Sequence, residues 1–271
     1  MTTVRFAAIQ MTTGVEVGEN LRVAAKFIEE AAGERAELIV LPENFAAMGC
    51  GENARCVLAE ADGNGPLQAF LAEQAARNKA WIVGGTIPVI SDDPQRPYAS
   101  SLVFSADGER VARYDKLHLF DVGLPGRDER YSESAHTRAG SAPVMVTTPW
   151  GELCVAVCYD IRFPELFRRF PAPGPDFIVL PAAFTESTGQ AHWSALLRAR
   201  AIENLCFVVA AAQTGAHENG RKTFGHSMIV GPWGEVMADA GTEPGFVVAD
   251  LDLEEQAEVR ERFPALDHRK L

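Results

Sequence analysis

One pattern occurs twice in this chain. An apolar run that stops at a proline reads Leu38-Ile39-Val40-Leu41-Pro42-Glu43-Asn44-Phe45, and again Phe177-Ile178-Val179-Leu180-Pro181-Ala182-Ala183-Phe184, with Leu41 and Leu180 139 positions apart. The strand at Trp81 recurs at Cys206, 125 positions on, and the hairpin from Ser101 recurs from Ser227, 126 positions on. Short runs without a polar residue suit strands covered on both faces. Three segments recurring in one order imply a duplicated strand–helix–strand–helix–strand–hairpin unit. Each copy yields a sheet with helices on one face, and the bare face has to be buried. Stacking the bare faces gives an α/β fold, a four-layer α-β-β-α sandwich of two mixed sheets with an internal pseudo-two-fold duplication. It forms a single domain over residues 1–271.

The remaining elements follow from apolar spacing and turn residues. Strands are expected at 4–10, 81–86 and 246–251, and helices from Asn20 as N-cap, from Gly65-Pro66 to about 78, at 192–205 and at 254–262. Hairpins are expected around Ala106-Asp107-Gly108, Pro149-Trp150-Gly151 and Gly231-Pro232-Trp233-Gly234. Residues 121–141 read as a long polar surface loop, a kind of segment that is often functional.

Composition narrows the setting. With 47% hydrophobic residues, the 271-residue chain can bury a large core. Met1 to Val4 leads straight into a strand without a signal-peptide pattern, and no apolar run is long enough to span a bilayer. The five cysteines are an odd number without a CxxC pair, which fits free thiols in a reducing, cytoplasmic compartment better than a disulfide framework or zinc site. A formal charge of −12 argues against nucleic acid and anionic membrane as partners. The six histidines show no metal-ligand spacing.

Where the two halves differ, one has kept charge. Glu43 aligns with Ala182, and Lys116 falls opposite Thr242. Both charged residues follow strand ends, where open α/β sheets place ligands. A partly desolvated glutamate there can act as a base, and a lysine among apolar residues needs a negative partner. A third strand end carries Cys158, in Val155-Ala156-Val157-Cys158-Tyr159-Asp160-Ile161-Arg162-Phe163-Pro164-Glu165. Pro164 opens a helix over 165–170, so Cys158 sits at a strand-to-helix junction. Unpaired N–H groups there can stabilise a thiolate or an oxyanion. Each residue alone also has a bland explanation: a small core hydrophobe, a loop carboxylate, a surface lysine. A Cys–His acyl hydrolase and a non-catalytic interaction protein on the same scaffold are the rival readings. An acid, an ammonium and a thiol together at strand ends weigh against a mere scaffold.

Three blocks carry a resemblance: Leu41-Pro42-Glu43, Tyr114-Asp115-Lys116-Leu117-His118-Leu119-Phe120, and the segment around Cys158. In this order they resemble the signature blocks of the nitrilase, or carbon–nitrogen hydrolase, superfamily. Ala191-His192-Trp193, Gly225-His226-Ser227-Met228 and Pro232-Trp233-Gly234 are similar to its Nit branch of deaminated-glutathione amidases and ω-amidases. The resemblance implies the same sandwich, a homodimer by default, no cofactor and no metal. It implies Cys158 as nucleophile, Glu43 as general base, and Lys116 with the Tyr159 N–H as oxyanion donors. Glu133 matches the family's second glutamate, which supports Lys116. Arg162 matches an arginine that binds a substrate carboxylate, with a structural pairing to Glu165 or Asp160 as its alternative. Phe184 and Thr188 match pocket residues. The implied substrate is a small carboxylate-bearing amide, cleaved through a thioester to acid and ammonia. Deaminated glutathione is favoured, ω-amidase substrates come second, and nitriles and N-carbamoyl compounds come after them. The loop 216–222 finds no counterpart, which leaves substrate size open.

Overall fold

A computed structural model describes residues 3–50, 54–125 and 129–270. Met1, Thr2 and residues 126–128 of the expected long loop lie outside the described residues. The first half runs β1 (Thr3–Gln10), α1 (Val17–Gly33), β2 (Leu38–Val40), α2 (Ala54–Leu58), α3 (Pro66–Asn78), β3 (Trp81–Val83), β4 (Ile87–Val89), β5 (Tyr98–Phe104) and β6 (Arg110–Asp115). A small hairpin, β7 (Asp121–Gly123) and β8 (Arg130–Ser132), leads to a 3-10 turn at Glu133–Ala135. The second half runs β9 (Val144–Thr148), β10 (Gly151–Val155), a 3-10 turn at Cys158–Arg162, α4 (Pro164–Phe167), β11 (Phe177–Ala182), α5 (Glu186–Asn204) and β12 (Phe207–Ala212). It closes with β13 (Thr214–Ala216), β14 (Lys222–Phe224), β15 (Met228–Val230), β16 (Val236–Asp239), β17 (Gly245–Asp252) and α6 (Leu253–Arg262).

The duplication is visible in the strand order. One sheet runs β17-β1-β2-β3-β5-β4 with β6 beside β5, the other β16-β15-β12-β11-β10-β9. In each, three central strands are parallel and the flanking ones antiparallel. The C-terminal strand β17 lies along β1 from Thr3↔Asp252 to Gln10↔Gly245, in the place that β9 takes beside β10.

Alternation along β2 explains why its whole run is apolar. Leu38 and Val40 face the second sheet, in one core with Phe6, Leu153, Val155, Phe177 and Val179. Ile39 and Leu41 face outward to Ala24 and Ile28 of α1 and Leu67 and Leu71 of α3. Phe6 meets Phe177 at 5.0 Å and Trp150 at 5.1 Å between the sheets. Trp193, Leu197 and Ala201 of α5 cover the second sheet. The four layers are therefore helix, sheet, sheet, helix, as the repeat requires.

Three expectations change. Asn20 is not an N-cap, because α1 already begins at Val17. Its buried amide instead ties two loops together, bonding Gly14 through both N–H and C=O and donating to the Ala46 carbonyl. Helix α5 starts at Glu186 rather than at residue 192, with Thr185 as N-cap accepting from the Thr188 N–H at 3.4 Å. Its first turns are polar and contain Gly189, which reads as loop. The glycine is there because the Phe224 ring presses against it, where any Cβ would collide. The long polar loop holds β7, β8 and a 3-10 turn, elements too short to leave a periodic signal.

Candidate active site

The strand ends after β2, β6, β10 and β11 meet at one rim of the sandwich. Glu43 is held there by its own backbone. Gly85, at φ +52°, lets the chain after β3 pass directly over the Pro42 carbonyl, where a side chain would not fit. Asn44 takes φ +57° and its N–H donates to Thr86 Oγ1 at 2.9 Å. The Glu43 carbonyl accepts from Gln213 Nε2 at 2.9 Å, and the same amide bonds Thr13, so a buried residue just beyond β12 pins the Glu43 turn to the other sheet.

Lys116 follows β6 and is 2% exposed. Its Nζ donates to Glu43 Oε1 at 2.8 Å and to Glu133 Oε2 and Oε1 at 2.8 and 3.0 Å. Burial works against its charge, but Glu133 and then Glu43 outweigh it and hold its pKa well above the ordinary lysine value. Burial likewise pushes Glu133 up, and Lys116 followed by Arg55 more than reverses this, leaving Glu133 below the usual carboxylate range. The Phe120 N–H donates to Glu133 at 2.8 Å, fixing the carboxylate in the 3-10 turn after β8.

Cys158 opens its own 3-10 turn with φ +48° and is 6% exposed. Burial pushes its thiol pKa well above the ordinary value and the negative charge of Glu43 adds to this, while Lys116 and the Ala183 backbone pull the other way. The sulfur is thus held as a thiol beside a carboxylate, not as the resting thiolate that the junction could have favoured. Two other buried cysteines, Cys154 and Cys206, are also raised by burial, Cys206 to about 12.

Asp160 is one site residue that the sequence reading missed, having entered only as a partner for Arg162. It is fully buried and accepts from the Val157 N–H at 2.8 Å, the Tyr114 hydroxyl at 2.7 Å and the His118 N–H at 3.0 Å, with His118 Nδ1 at 2.7 Å. One carboxylate therefore joins the turn that carries Cys158 to the segment that carries Lys116. The available signal was a buried-looking aspartate two residues after the cysteine, flanked by apolar residues.

All eight expected residues border one cavity of about 180 Å³: Glu43, Lys116, Glu133, Cys158, Tyr159, Arg162, Phe184 and Thr188. The Tyr159 N–H lies in the first turn of a 3-10 helix, where a donor lacks an intrahelical acceptor. Arg162 does not pair with Glu165 or Asp160. Its guanidinium lies 5.2 Å from the Phe184 ring and 5.8 Å from the Tyr159 ring, and Nη1 is 3.2 Å from His192 Nδ1. Burial lowers its pKa. Arg55 and Arg221 also border the cavity and had not been anticipated.

A buried acid, a lysine and a thiol thus stand together at the rim of an α-β-β-α sandwich. The carbon–nitrogen hydrolase family model matches residues 5–261, and the chain belongs to that family. It is 42% identical to a deaminated glutathione amidase of Synechocystis sp. over 97% of each chain. It is 35% identical to the human omega-amidase NIT2, over 100% of this chain and 96% of that one. The crystal structure of the Caenorhabditis elegans NitFhit protein superposes with a TM-score of 0.92 at 38% identity, covering 100% of this chain and 66% of that one. Among the described residues, no helix is long and apolar enough to cross a membrane.

Proposed function

We propose that this enzyme hydrolyses the amide of a small 2-oxo acid through a Cys158 thioester, with deaminated glutathione as the preferred substrate. The observation that carries the reading is the contact of Lys116 with both Glu43 and Glu133 beside the Cys158 thiol, in a cavity that also presents Arg162. Because the resting sulfur is a thiol, its proton passes to Glu43 as the sulfur attacks the amide carbon. The carbonyl oxygen becomes negative and is met by Lys116 and the Tyr159 N–H, donors of a kind worth about 3–4 kcal/mol each. Glu43 then gives the proton to the departing amine, leaving the thioester. Water, deprotonated by Glu43, adds to the thioester and releases the acid and the thiol. Glu133 holds Lys116 in place through the whole cycle.

Arg162 binds the carboxylate of the acyl part in a two-pronged bond. Phe184 and Thr188 shape the wall beside it. The names of the amidase relatives support this class of substrate. The leaving amine distinguishes the two readings: a primary ω-amide yields ammonia, whereas the secondary amide of deaminated glutathione yields cysteinylglycine. Both yield 2-oxoglutarate, so that product is the one to measure. Wild-type enzyme is expected to turn over deaminated glutathione faster than 2-oxoglutaramate, and both far faster than simple nitriles. Arg162→Lys should raise KM for these acids about tenfold more than for a neutral amide. Equal effects on charged and neutral amides would remove Arg162 from carboxylate binding.

The chain works as a homodimer in the cytoplasm in this reading. An exposed apolar patch supports the pairing: Trp233 (62% exposed) stands edge-on to Phe263 (51%) at 5.4 Å, with Ile202 (46%) against Gly234. Sedimentation velocity should report a two-chain species, and a monomer at micromolar concentration would count against it.

A further inference from the structure

The cavity contains two arginines that the acid–lysine–thiol chemistry leaves unused. Arg55, a third, is engaged by Glu133 at 3.9 Å, Asn44 and Thr137. Among the described residues, neither Arg162 nor Arg221 has a carboxylate partner, although 37 acidic side chains make the chain strongly anionic. Arg221 comes from the loop between β13 and β14, the segment without a sequence counterpart. His217 anchors that loop, its ring bonded to the Thr13 carbonyl at 2.9 Å and to Thr223 Oγ1 at 2.8 Å. Arg221 Nη2 donates to the Ala183 carbonyl, while its Nε is buried without a hydrogen-bond partner among the described residues. Leaving a buried N–H unpaired costs about 1–3 kcal/mol, which an incoming acceptor would recover.

The two cations stand apart. Tyr131, Phe120 and Tyr159 form a row of rings with centroids 5.0 and 5.1 Å apart. Arg221 lies 5.3 Å from the Tyr131 ring at one end, and Arg162 lies 5.8 Å from the Tyr159 ring at the other. Beyond Arg221 the inner cavity adjoins an outer cleft of about 640 Å³ that shares Tyr131, Thr185 and Arg221 with it and adds two cations, Arg130 and Lys222, and two carboxylates, Glu129 and Glu186. Cys158 and Arg162 do not border this outer cleft. An acyl group seated on Cys158 with its carboxylate at Arg162 would therefore send its leaving group outward, past Arg221. Ala183 links the two regions, since its backbone faces the Cys158 sulfur and its carbonyl holds Arg221.

We infer that Arg221 binds a second carboxylate, carried on the leaving-group side of the scissile amide, and so selects short carboxylated peptidyl amides over primary amides. This rests on the reading that the acyl carboxylate lies at Arg162. It makes Arg221 a specificity-determining residue that the β13–β14 loop brings to the mouth of the cavity.

The test compares three amides of the same 2-oxo acid: deaminated glutathione, its C-terminal carboxamide, and 2-oxoglutaramate, with release of 2-oxoglutarate as the readout. Wild-type enzyme is expected to favour the carboxylate over the carboxamide by about tenfold in kcat/KM, as one charge-assisted contact would give. Arg221→Gln should erase that preference, chiefly through KM, and lose far less on 2-oxoglutaramate. Arg221→Lys should restore part of it. A purely structural arginine holding the Ala183 carbonyl would lower all three substrates together, and that result would overturn the inference. A preference that persists in Arg221→Gln would overturn it as well. Hydrolysis of 2-oxoglutaramate but of neither peptidyl amide would leave the amidase reading standing and remove this one. Hydrolysis of none of the three would remove both.

Discussion

Cys158→Ala is expected to lower the rate of 2-oxoglutarate release by at least about 10⁴-fold, the scale on which loss of a nucleophile acts in a hydrolase. The thiol is the group in the cavity that forms the proposed acyl intermediate, and it is the one thiol among the residues bordering the cavity. Cys154 and Cys206 are buried and held as thiols, and neither borders the cavity. The fold should survive, because alanine occupies the same φ +48° as any residue with a Cβ and removes only one buried atom. The expected change in stability is about 1 kcal/mol or less. Mass spectrometry of quenched wild-type enzyme should show an acyl adduct on the peptide containing Cys158, absent in the variant. Activity within tenfold of wild type in Cys158→Ala would remove the covalent mechanism.

Lys116→Met should damage both stability and rate. The ammonium lies between two buried carboxylates, and removing it leaves Glu43 and Glu133, among the described residues, with no cation at contact distance apart from Arg55, 3.9 Å from Glu133. Breaking a buried ion pair by deleting one partner costs about 3–5 kcal/mol. Loss of an oxyanion donor should lower kcat a further ~10²–10³-fold in molecules that remain folded. The pH dependence has a definite sign. Lys116 is raised in the folded protein, so its contribution is full below its unfolded pKa of about 10.4 and is lost as pH rises through the folded value. Glu133 is lowered, so its contribution is full above its unfolded pKa of about 4.3 and is lost as pH falls through the folded value. The variant removes the chief cause of the lowering and leaves burial in place. Urea midpoints of wild type and Lys116→Met should therefore differ most near neutrality and converge toward about pH 4. A gap that widens on acidification would mean that the lysine–glutamate contact is not what stabilises the wild type.

The two sheets were legible because their strands obey a simple rule. Leu38 to Leu41 and Phe177 to Leu180 are apolar at every position, and each position turns out to face either the other sheet or a helix. Glu43, Lys116 and Cys158 could be singled out because each is a polar residue placed where a strand stops. What stayed hidden is of another kind. Asp160, Gln213 and Asn20 are buried polar residues, each with at least one partner far along the chain (His118 N–H, the Glu43 carbonyl and the Ala46 carbonyl), and nothing in their own neighbourhood announces those partners. Arg221 lies in a loop between strands of three residues each, too short for alternation to register. The start of α5 was hidden because Gly189 serves a contact with Phe224, not a turn.

The in-register pairing of β1 with β17 bears on how the molecule is assembled. The two strands join segments separated by nearly the whole length of the chain, and β2 and β3 are added to the sheet from β1 outward. Such a topology has a high contact order, which slows folding and leaves partly built states with open strand edges. During synthesis, the outer edge of β1 stays bare until its late partner emerges, so assembly of the first half is completed by the second. A chain interrupted before β17 would keep that edge of β1 unpaired, the kind of open edge at which strands from other chains can add.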